Sequence, residues 1–208
     1  ANGTYVNTPT LGATSLVQSE TDTAVTFTKA SSEYVTCGTA LVIADTFTFE
    51  LWVQRAALGG DEVLISIGGS GTAQIKFLGA TNQVYLLSNL VGYVGNSLIA
   101  IADTTTAHHV VVTKTGAATK FYIDGVASTS ALTNLTMVDD GNATLIGARS
   151  GTNDLTFGGT LDEVAIYDTV LPADRVWPHY RAGVLARSET ILTTSPGAGA
   201  AQAPAASS

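Results

Sequence analysis

The stretch that decides the fold spans residues 157–171 and has the sequence F-G-G-T-L-D-E-V-A-I-Y-D-T-V-L. Its hydrophobic and aromatic residues suit a half-buried β-strand, and an acidic pair, Asp162 and Glu163, lies in its middle. It stops at Leu171-Pro172, because proline lacks the N–H that a central strand must donate. We therefore predict a strand that closes a sheet formed by the preceding part of the chain.

Strict alternation along this strand assigns the two acids to opposite faces. Asp162 would share a face with Val164 and Ile166, and Glu163 would share the other with Leu161 and Tyr167. Adjacent acids that point apart cannot act together as a catalytic pair.

Upstream residues predict about a dozen short strands and no long helical period. The clearest strand is residues 46–54, in which Phe47, Phe49, Leu51 and Val53 share one face and Thr48, Glu50, Trp52 and Gln54 share the other. Further strands are predicted at residues 24–28, 34–35, 63–67, 73–78, 83–88, 97–101, 109–113, 120–123 and 143–146. Asp124-Gly125 suits a type I′ turn, since both residue types tolerate positive φ. The pattern indicates an all-β antiparallel sandwich or jelly roll.

Trp52 falls on the outer face of the strand at residues 46–54. It must lie under a second layer or be exposed for a partner, and we expect the second layer. Residues 172–182 predict one short helical turn with a kink, because Pro178 interrupts the pattern.

The termini differ in composition from the rest of the chain. Residues 1–22 are rich in Thr, Ser and Asn and predict an N-terminal arm or a loosely attached first strand. Residues 23–185 form the predicted jelly-roll domain. Residues 186–208 form a predicted low-complexity tail, dominated by Pro, Gly, Ala and Ser from Ser195 onwards.

Composition excludes several classes of partner. The net charge is −8 with nine Lys and Arg and no basic patch, which argues against nucleic acid. No apolar run approaches the roughly 18 residues of a membrane span. Cys37 is the only cysteine, so no intramolecular disulfide is expected. We expect its side chain to be buried and to act as a small hydrophobic group. The missing disulfides and the polar start, with no signal-peptide pattern, favour folding in a reducing cytoplasm, although a processed exported protein would look the same.

The titratable residues predict no catalytic site. His108 and His109 are adjacent on a strand, point to opposite faces and cannot chelate one metal ion together. His179 lies in the helical turn, and nothing in the sequence brings it close to them. Glu50 and Glu163 are scattered carboxylates without an acidic partner two or four residues away. We therefore predict that the protein is not an enzyme.

Several segments, taken in order, carry a resemblance to a known family. They are residues 24–27, 34–35, 47–53, 108–113, 121–125, 145–147, 159–171 and 179–183. Together they resemble the laminin-G-like branch of the concanavalin A-like lectin/glucanase superfamily, over residues 22–183. The resemblance implies two antiparallel sheets packed face to face. Ala107, where the family usually has Trp, and Pro178 depart from its pattern.

The resemblance also bears on chemistry. Laminarinase-type members cleave glycans with a Glu-x-Asp-x-x-Glu strand. The nearest string here is Glu20-Thr-Asp22-Thr-Ala-Val25, which lacks the second acid. Members often hold a structural calcium ion through an Asp of the last strand and nearby carbonyls, which makes Asp162 a calcium candidate. The alternative is a carboxylate that accepts backbone N–H bonds or pairs with Arg. No other cofactor is expected.

Two functions are compatible with such a domain. The first is a non-catalytic virion structural protein, a phage capsid decoration or tail-associated subunit. It would lie on the virion surface as a homo-oligomer or part of a larger assembly and contact other subunits through its terminal arms. Such a protein could also use its lectin-like fold to contact glycans of the host surface. The composition resembles that of phage surface proteins with this fold, and the arm at residues 5–17 could add a strand to a neighbouring sheet. The alternative is a secreted or cell-surface carbohydrate-binding or adhesion module, with Tyr85, Tyr93 and Trp52 as candidate aromatic contacts.

Overall fold

β-Strands form most of the regular structure in the computed structural model, which describes residues 3–18, 20–38, 45–68, 73–88, 92–129, 137 and 143–185. The strands are β1 (Thr4–Val6), β2 (Thr10–Thr14), β3 (Thr23–Phe27), β4 (Tyr34–Thr36), β5 (Thr46–Arg55), β6 (Glu62–Ile67), β7 (Ala73–Leu78), β8 (Gln83–Ser88), β9 (Gly92–Ala100), β10 (His108–Thr115), β11 (Ala118–Ile123), β12 (Val126–Ala127), β13 (Leu145–Ile146) and β14 (Gly159–Tyr167). A 3₁₀ turn spans Lys29–Ser31, and helix α1 spans Ala173–Val184. Within the described ranges, no helix has the length and apolar character needed to cross a bilayer.

The strands form two seven-stranded antiparallel sheets. Sheet A has the order β1-β4-β13-β6-β7-β8-β9, and sheet B has the order β12-β11-β10-β5-β14-β3-β2. Their inner faces share one hydrophobic core. The predicted all-β, two-sheet antiparallel sandwich with one short helix is confirmed.

Strand β5 is central to sheet B and shows why the sequence folds this way. Phe47, Phe49, Leu51 and Val53 are fully buried between the sheets, as their alternation predicts. Burying each such side chain contributes about 1.5–3 kcal/mol. The opposite face of β5 carries Thr48, Glu50 and Trp52, which point away from this core.

Helix α1 covers the outer face of sheet B. The Trp52 indole is only 5% exposed and stacks on Tyr180, with ring centroids 5.9 Å apart. Val176 of the helix packs against Val111 and Tyr122 of the sheet. The expectation that a second layer covers Trp52 is confirmed.

The helix continues past the single turn that was expected. It runs for 12 residues with Pro178 inside it. An interior proline costs about 3 kcal/mol because it removes one N–H donor and crowds the preceding turn. Packing against the sheet through Val176 and Gly183, both buried, offsets this cost.

A β-bulge changes the facing of residues in β14. The register with β5 shifts between Asp162 and Ala165, and Glu163 takes a left-handed φ of 46°. The prediction that Asp162 shares a face with Val164 and Ile166 is therefore wrong. The extra residue lets Ile166 pack against the core although Asp162 lies opposite the outward-facing Trp52.

The first two strands belong to the sheets of their own chain. Strand β1 pairs with β4 at the edge of sheet A, and β2 pairs with β3 at the edge of sheet B. Both lie within the segment predicted as an N-terminal arm. The predicted tail, residues 186–208, lies outside the described residues.

The two sheets are joined along the opposite edge. Strand β9 ends sheet A and β12 ends sheet B, and Ser128 follows β12 directly. The Leu98 N–H donates to the Ser128 carbonyl at 3.2 Å, and the Ile99 N–H donates to Ser128 Oγ at 2.7 Å. These bonds close the sandwich on one side.

A Gly183→Ala substitution tests how closely α1 must approach the sheet. A Cβ at this position would overlap the Trp52 indole. We expect a loss of about 2 kcal/mol in the free energy of unfolding, because overpacking outweighs the better helix propensity of alanine. Urea denaturation measures the change. Arg181→Ala, at an exposed position of the same helix, should stay within about 0.5 kcal/mol. A G183A protein as stable as the wild type would contradict the close packing.

Candidate functional site

Tyr85 and Tyr93 lie together on the outer face of sheet A. Val84 and Leu86 of β8 point into the core, so Tyr85 between them points outward. The Tyr93 ring, from β9, lies 5.2 Å from the Tyr85 ring between centroids, at an interplanar angle of 48°. Tyr93 is 38% exposed. Two of the three aromatic residues that the sequence suggested as glycan contacts are therefore neighbours.

Two amide side chains hold this pair of rings. Asn96 Nδ2 donates to Gln83 Oε1 at 3.0 Å, and the Tyr85 hydroxyl reaches the same oxygen at 3.5 Å. The Tyr93 hydroxyl donates to Asn96 Oδ1. We call Gln83, Tyr85, Tyr93 and Asn96 the tyrosine patch. Its hydrogen bonds fix the rings before any ligand arrives, which reduces the entropy lost on binding.

The cation beside the tyrosine patch is already neutralised. Lys76 pairs with Tyr85 in the register of β7 and β8, and its Nζ lies 2.8 Å from Asp61 Oδ2. Asp61 Oδ1 accepts a second bond from the Gly79 N–H at 2.8 Å. Lys76 therefore brings no uncompensated positive charge to this face.

A second cluster lies on the outer face of sheet B and is centred on the Glu50 carboxylate. Glu50 Oε1 accepts hydrogen bonds from His109 Nε2 and His179 Nδ1, each at 2.9 Å. Glu50 Oε2 accepts one from the Tyr167 hydroxyl at 3.0 Å. Burial alone would raise the pKa of Glu50, but the bonds from the two imidazoles outweigh it and lower the pKa to about 2. We call these four residues the carboxylate clasp.

The surroundings of His109 determine its tautomer. The residue is 1% exposed, and its Nδ1 atom has no hydrogen-bond partner among the described residues. A proton on Nδ1 would be a buried, unsatisfied donor, which costs more than an unsatisfied lone pair. We therefore assign a proton to Nε2, directed at Glu50.

The positions of the three histidines agree only in part with the prediction from sequence. His108 and His109 do point to opposite faces, since His108 contacts Asp103 and Asp124 at 2.9 and 2.7 Å. The Asp124 contact raises the pKa of His108 against the effect of burial. The expectation that nothing brings His179 close to them is wrong. His179 and His109 both contact the Glu50 carboxylate. His179 and Glu50 are 129 residues apart in sequence, so no local pattern predicts their contact.

Three of the acidic residues also lie closer together than the sequence suggested. Glu20, Glu50 and Glu163 line one cavity of about 230 Å³ beside the carboxylate clasp. Partial burial and repulsion from Glu20 and Asp22 raise the pKa of Glu163 to about 7. Since both oxygens of Glu50 are engaged by imidazole and phenol donors, we assign the clasp a structural role in holding α1 to the sheet.

Asp162, the calcium candidate, is bonded within the protein. Its Oδ2 accepts from Ser15 Oγ at 2.7 Å and from the Leu16 N–H at 2.8 Å, and its Oδ1 accepts from the Glu163 N–H at 3.1 Å. These bonds match the alternative in which the carboxylate accepts backbone N–H groups. The calcium role of Asp162 stays a prediction.

A family comparison agrees with this architecture. A laminin-G-type profile described as concanavalin A-like lectin/glucanases matches residues 29–176, more than half of the chain. The chain belongs to the concanavalin A-like lectin/glucanase superfamily. No curated protein sequence matches it.

Solved structures with this fold include glycan complexes. One is domain 4 of AbnA, an extracellular GH43 arabinanase from Geobacillus stearothermophilus, in complex with arabinotriose. Its sequence is 20% identical to this chain and its TM-score is 0.67, and the match covers 85% of this chain and 86% of that one. The CBM40 of Ruminococcus gnavus IT-sialidase, bound to α2,3-sialyllactose, is 17% identical with a TM-score of 0.56, covering 66% and 84%. The binding domain of Paraclostridial Mosquitocidal Protein 1 is 14% identical with a TM-score of 0.58, covering 87% of this chain and 47% of that one. At these identities the likeness establishes the fold alone.

A Glu50→Gln substitution tests the carboxylate clasp. We expect a loss of about 2 kcal/mol in the free energy of unfolding at pH 7, since hydrogen bonds to a buried charge are removed. The folded-state pKa, about 2, lies below the ordinary value of 4.5, so this contribution is present above pH 4.5 and is lost as the pH falls towards 2. Urea denaturation of both proteins between pH 2.5 and 7 should show stabilities that converge at the acidic end.

Asp168→Asn provides the matched control for the clasp. It removes an exposed carboxylate just beyond β14 and should change stability by less than about 0.5 kcal/mol at pH 7. If the difference in the free energy of unfolding between wild type and E50Q stayed constant with pH, the charge of Glu50 would contribute nothing to stability.

Proposed function

We propose that this domain is a non-catalytic carbohydrate-binding module that binds neutral oligosaccharides at the tyrosine patch. The observation that carries the proposal is the fixed Tyr85–Tyr93 ring pair, flanked by amide groups, on the outer face of sheet A. Aromatic rings provide a large apolar surface on which the C–H face of a sugar can stack. Amide and phenol groups beside them provide donors and acceptors for sugar hydroxyls.

The arrangement of charge favours neutral sugars. The protein carries a net charge of −8, which repels anionic glycans at long range. Lys76, the cation bordering the patch, is paired with Asp61 and so attracts a carboxylate only weakly. Two adjacent rings also suit a short oligosaccharide better than a single sugar.

The comparisons support glycan binding over virion assembly. The arabinanase domain and the CBM40 were both solved with oligosaccharides, and the chain spans 86% and 84% of those structures. The virion hypothesis relied on an N-terminal arm free to reach a neighbour, whereas β1 and β2 pair with strands of their own chain. An extracellular location, secreted or at a cell surface, is part of this proposal.

Calorimetric titration with arabino-, xylo- and gluco-oligosaccharides tests the proposal, with α2,3-sialyllactose as the anionic comparison. We expect saturable binding of at least one neutral series. Tyr93→Ala and Tyr85→Ala should each weaken it about tenfold, the equivalent of about 1.4 kcal/mol, because each removes one stacking surface.

Trp177→Ala is the matched control for loss of an exposed aromatic side chain. Trp177 is 47% exposed and lies on α1, on the other side of the sandwich. It should leave affinity unchanged. Equal losses in W177A and Y93A, or binding of the sialylated sugar alone, would overturn the assignment to the tyrosine patch.

A further inference from the structure

A pocket of about 320 Å³ opens on the outer face of sheet A, over strands β4 and β13. Val35 of β4 points into the core, so its neighbours Tyr34 and Thr36 point outward and line the pocket. Leu145 of β13, which pairs with Thr36, adds an apolar side chain to the lining. We call this the Tyr34 pocket. Its volume lies at the lower end of the roughly 300–1,000 Å³ of ligand sites, which suits a small ligand.

The chain that follows β13 forms another wall of the Tyr34 pocket, through Ser150 and Asn153. The Ser150 N–H donates to Ser66 Oγ at 3.0 Å, and Ser150 Oγ donates to the Ala143 carbonyl at 2.7 Å. The Asn153 N–H donates to the Arg149 carbonyl at 2.9 Å. These bonds fix the wall on the sheet before any ligand arrives, which reduces the entropy lost on binding.

The polar groups of the Tyr34 pocket are uncharged and available to a ligand. Among the described residues, those that line it include no charged side chain. In the same part of the chain, the Tyr34 and Thr36 hydroxyls and the Asn153 amide have no hydrogen-bond partner. Arg149 and Asp154 of the same loop pair with each other, with Arg149 Nε 2.7 Å from Asp154 Oδ1. Hydroxyl and amide groups both donate and accept, so they match the hydroxyls of a neutral sugar.

We propose that the Tyr34 pocket is a second carbohydrate site, which binds a single neutral sugar unit. The Tyr34 ring provides an apolar surface for the C–H face of the sugar. The Thr36 hydroxyl and the Asn153 amide, on different walls, form hydrogen bonds with the sugar hydroxyls. An aromatic surface with a few convergent polar groups in a small pocket is the arrangement that small-molecule sites have in general.

The Tyr34 pocket is separate from the tyrosine patch, although both lie on the outer face of sheet A. In the strand order of the sheet, four strand spacings separate β4 from β8, which amounts to about 19 Å. The bond from Ser150 to Ser66 holds the loop of the pocket over β6, between the two sites. Both sites can therefore be occupied at once, and this inference does not depend on glycan binding at the tyrosine patch.

Titration of the full chain, followed by two-dimensional NMR of the backbone amides, tests the Tyr34 pocket. The probes are the methyl glycosides of arabinofuranose, xylopyranose and glucopyranose. We expect at least one of them to cause saturable shifts at residues 34–36 and 150–153. Methyl glucuronide, which carries a carboxylate on the same ring, should bind more weakly than methyl glucoside, because the protein has a net charge of −8 and the pocket offers no cation.

Two conservative substitutions remove polar groups of the pocket. Thr36→Val replaces one hydroxyl by a methyl group of similar shape. Asn153→Gly removes the amide, and glycine tolerates the left-handed φ of 54° at this position. Each should weaken binding about fivefold, as expected for the loss of one hydrogen bond. Thr10→Val, at an exposed position of β2 in sheet B, is the matched control and should leave the affinity unchanged.

The position of the shifts separates this inference from the proposed function. Shifts confined to residues 83–96 would overturn the Tyr34 pocket and support the tyrosine patch. Shifts at the Tyr34 pocket alone would support this inference and count against the tyrosine patch. The absence of saturable shifts at the pocket with every probe, equal affinities in wild type and all three variants, or tighter binding of the glucuronide would overturn a neutral sugar site here.

Discussion

The requirement to satisfy the Glu50 carboxylate away from water connects three distant parts of this protein. The carboxylate is only 9% exposed, so an unpaired charge there would be strongly unfavourable. His109 from β10, Tyr167 from β14 and His179 from α1 supply the donors. The same contacts that satisfy the charge fix the helix on the sheet.

This arrangement gives the two outer faces different roles. On sheet B, α1 buries Trp52, so this side chain is not available to a ligand. Trp52 is the largest of the three aromatic residues that the sequence suggested as glycan contacts. On sheet A, the tyrosine patch keeps an exposed ring, and its polar groups are ordered by one another. In the function we propose, recognition therefore falls to the outer face opposite the helix.

Local patterns predicted the strands well, because each depends on neighbouring residues. Strands β7 and β8 have the predicted bounds, and Asp124 and Gly125 both adopt the positive φ that their turn requires. The bulge at Glu163 escaped prediction, since nothing in the alternation of β14 marks one residue as extra. The carboxylate clasp escaped it because its members, from β5, β10, β14 and α1, lie far apart in sequence. Tyr85 and Tyr93 were named individually, but their contact depends on the register of β8 and β9.

The bonds of Ser128 that join β9 to the end of β12 tie the two sheets together along one edge. On the side of β13 and β14, the Phe157 N–H donates to the Gly147 carbonyl at 2.8 Å and forms a second tie between the sheets. Separation of the two sheets must therefore break backbone hydrogen bonds on both sides, so we expect it to cost more free energy than fraying of a single edge strand such as β1 or β2.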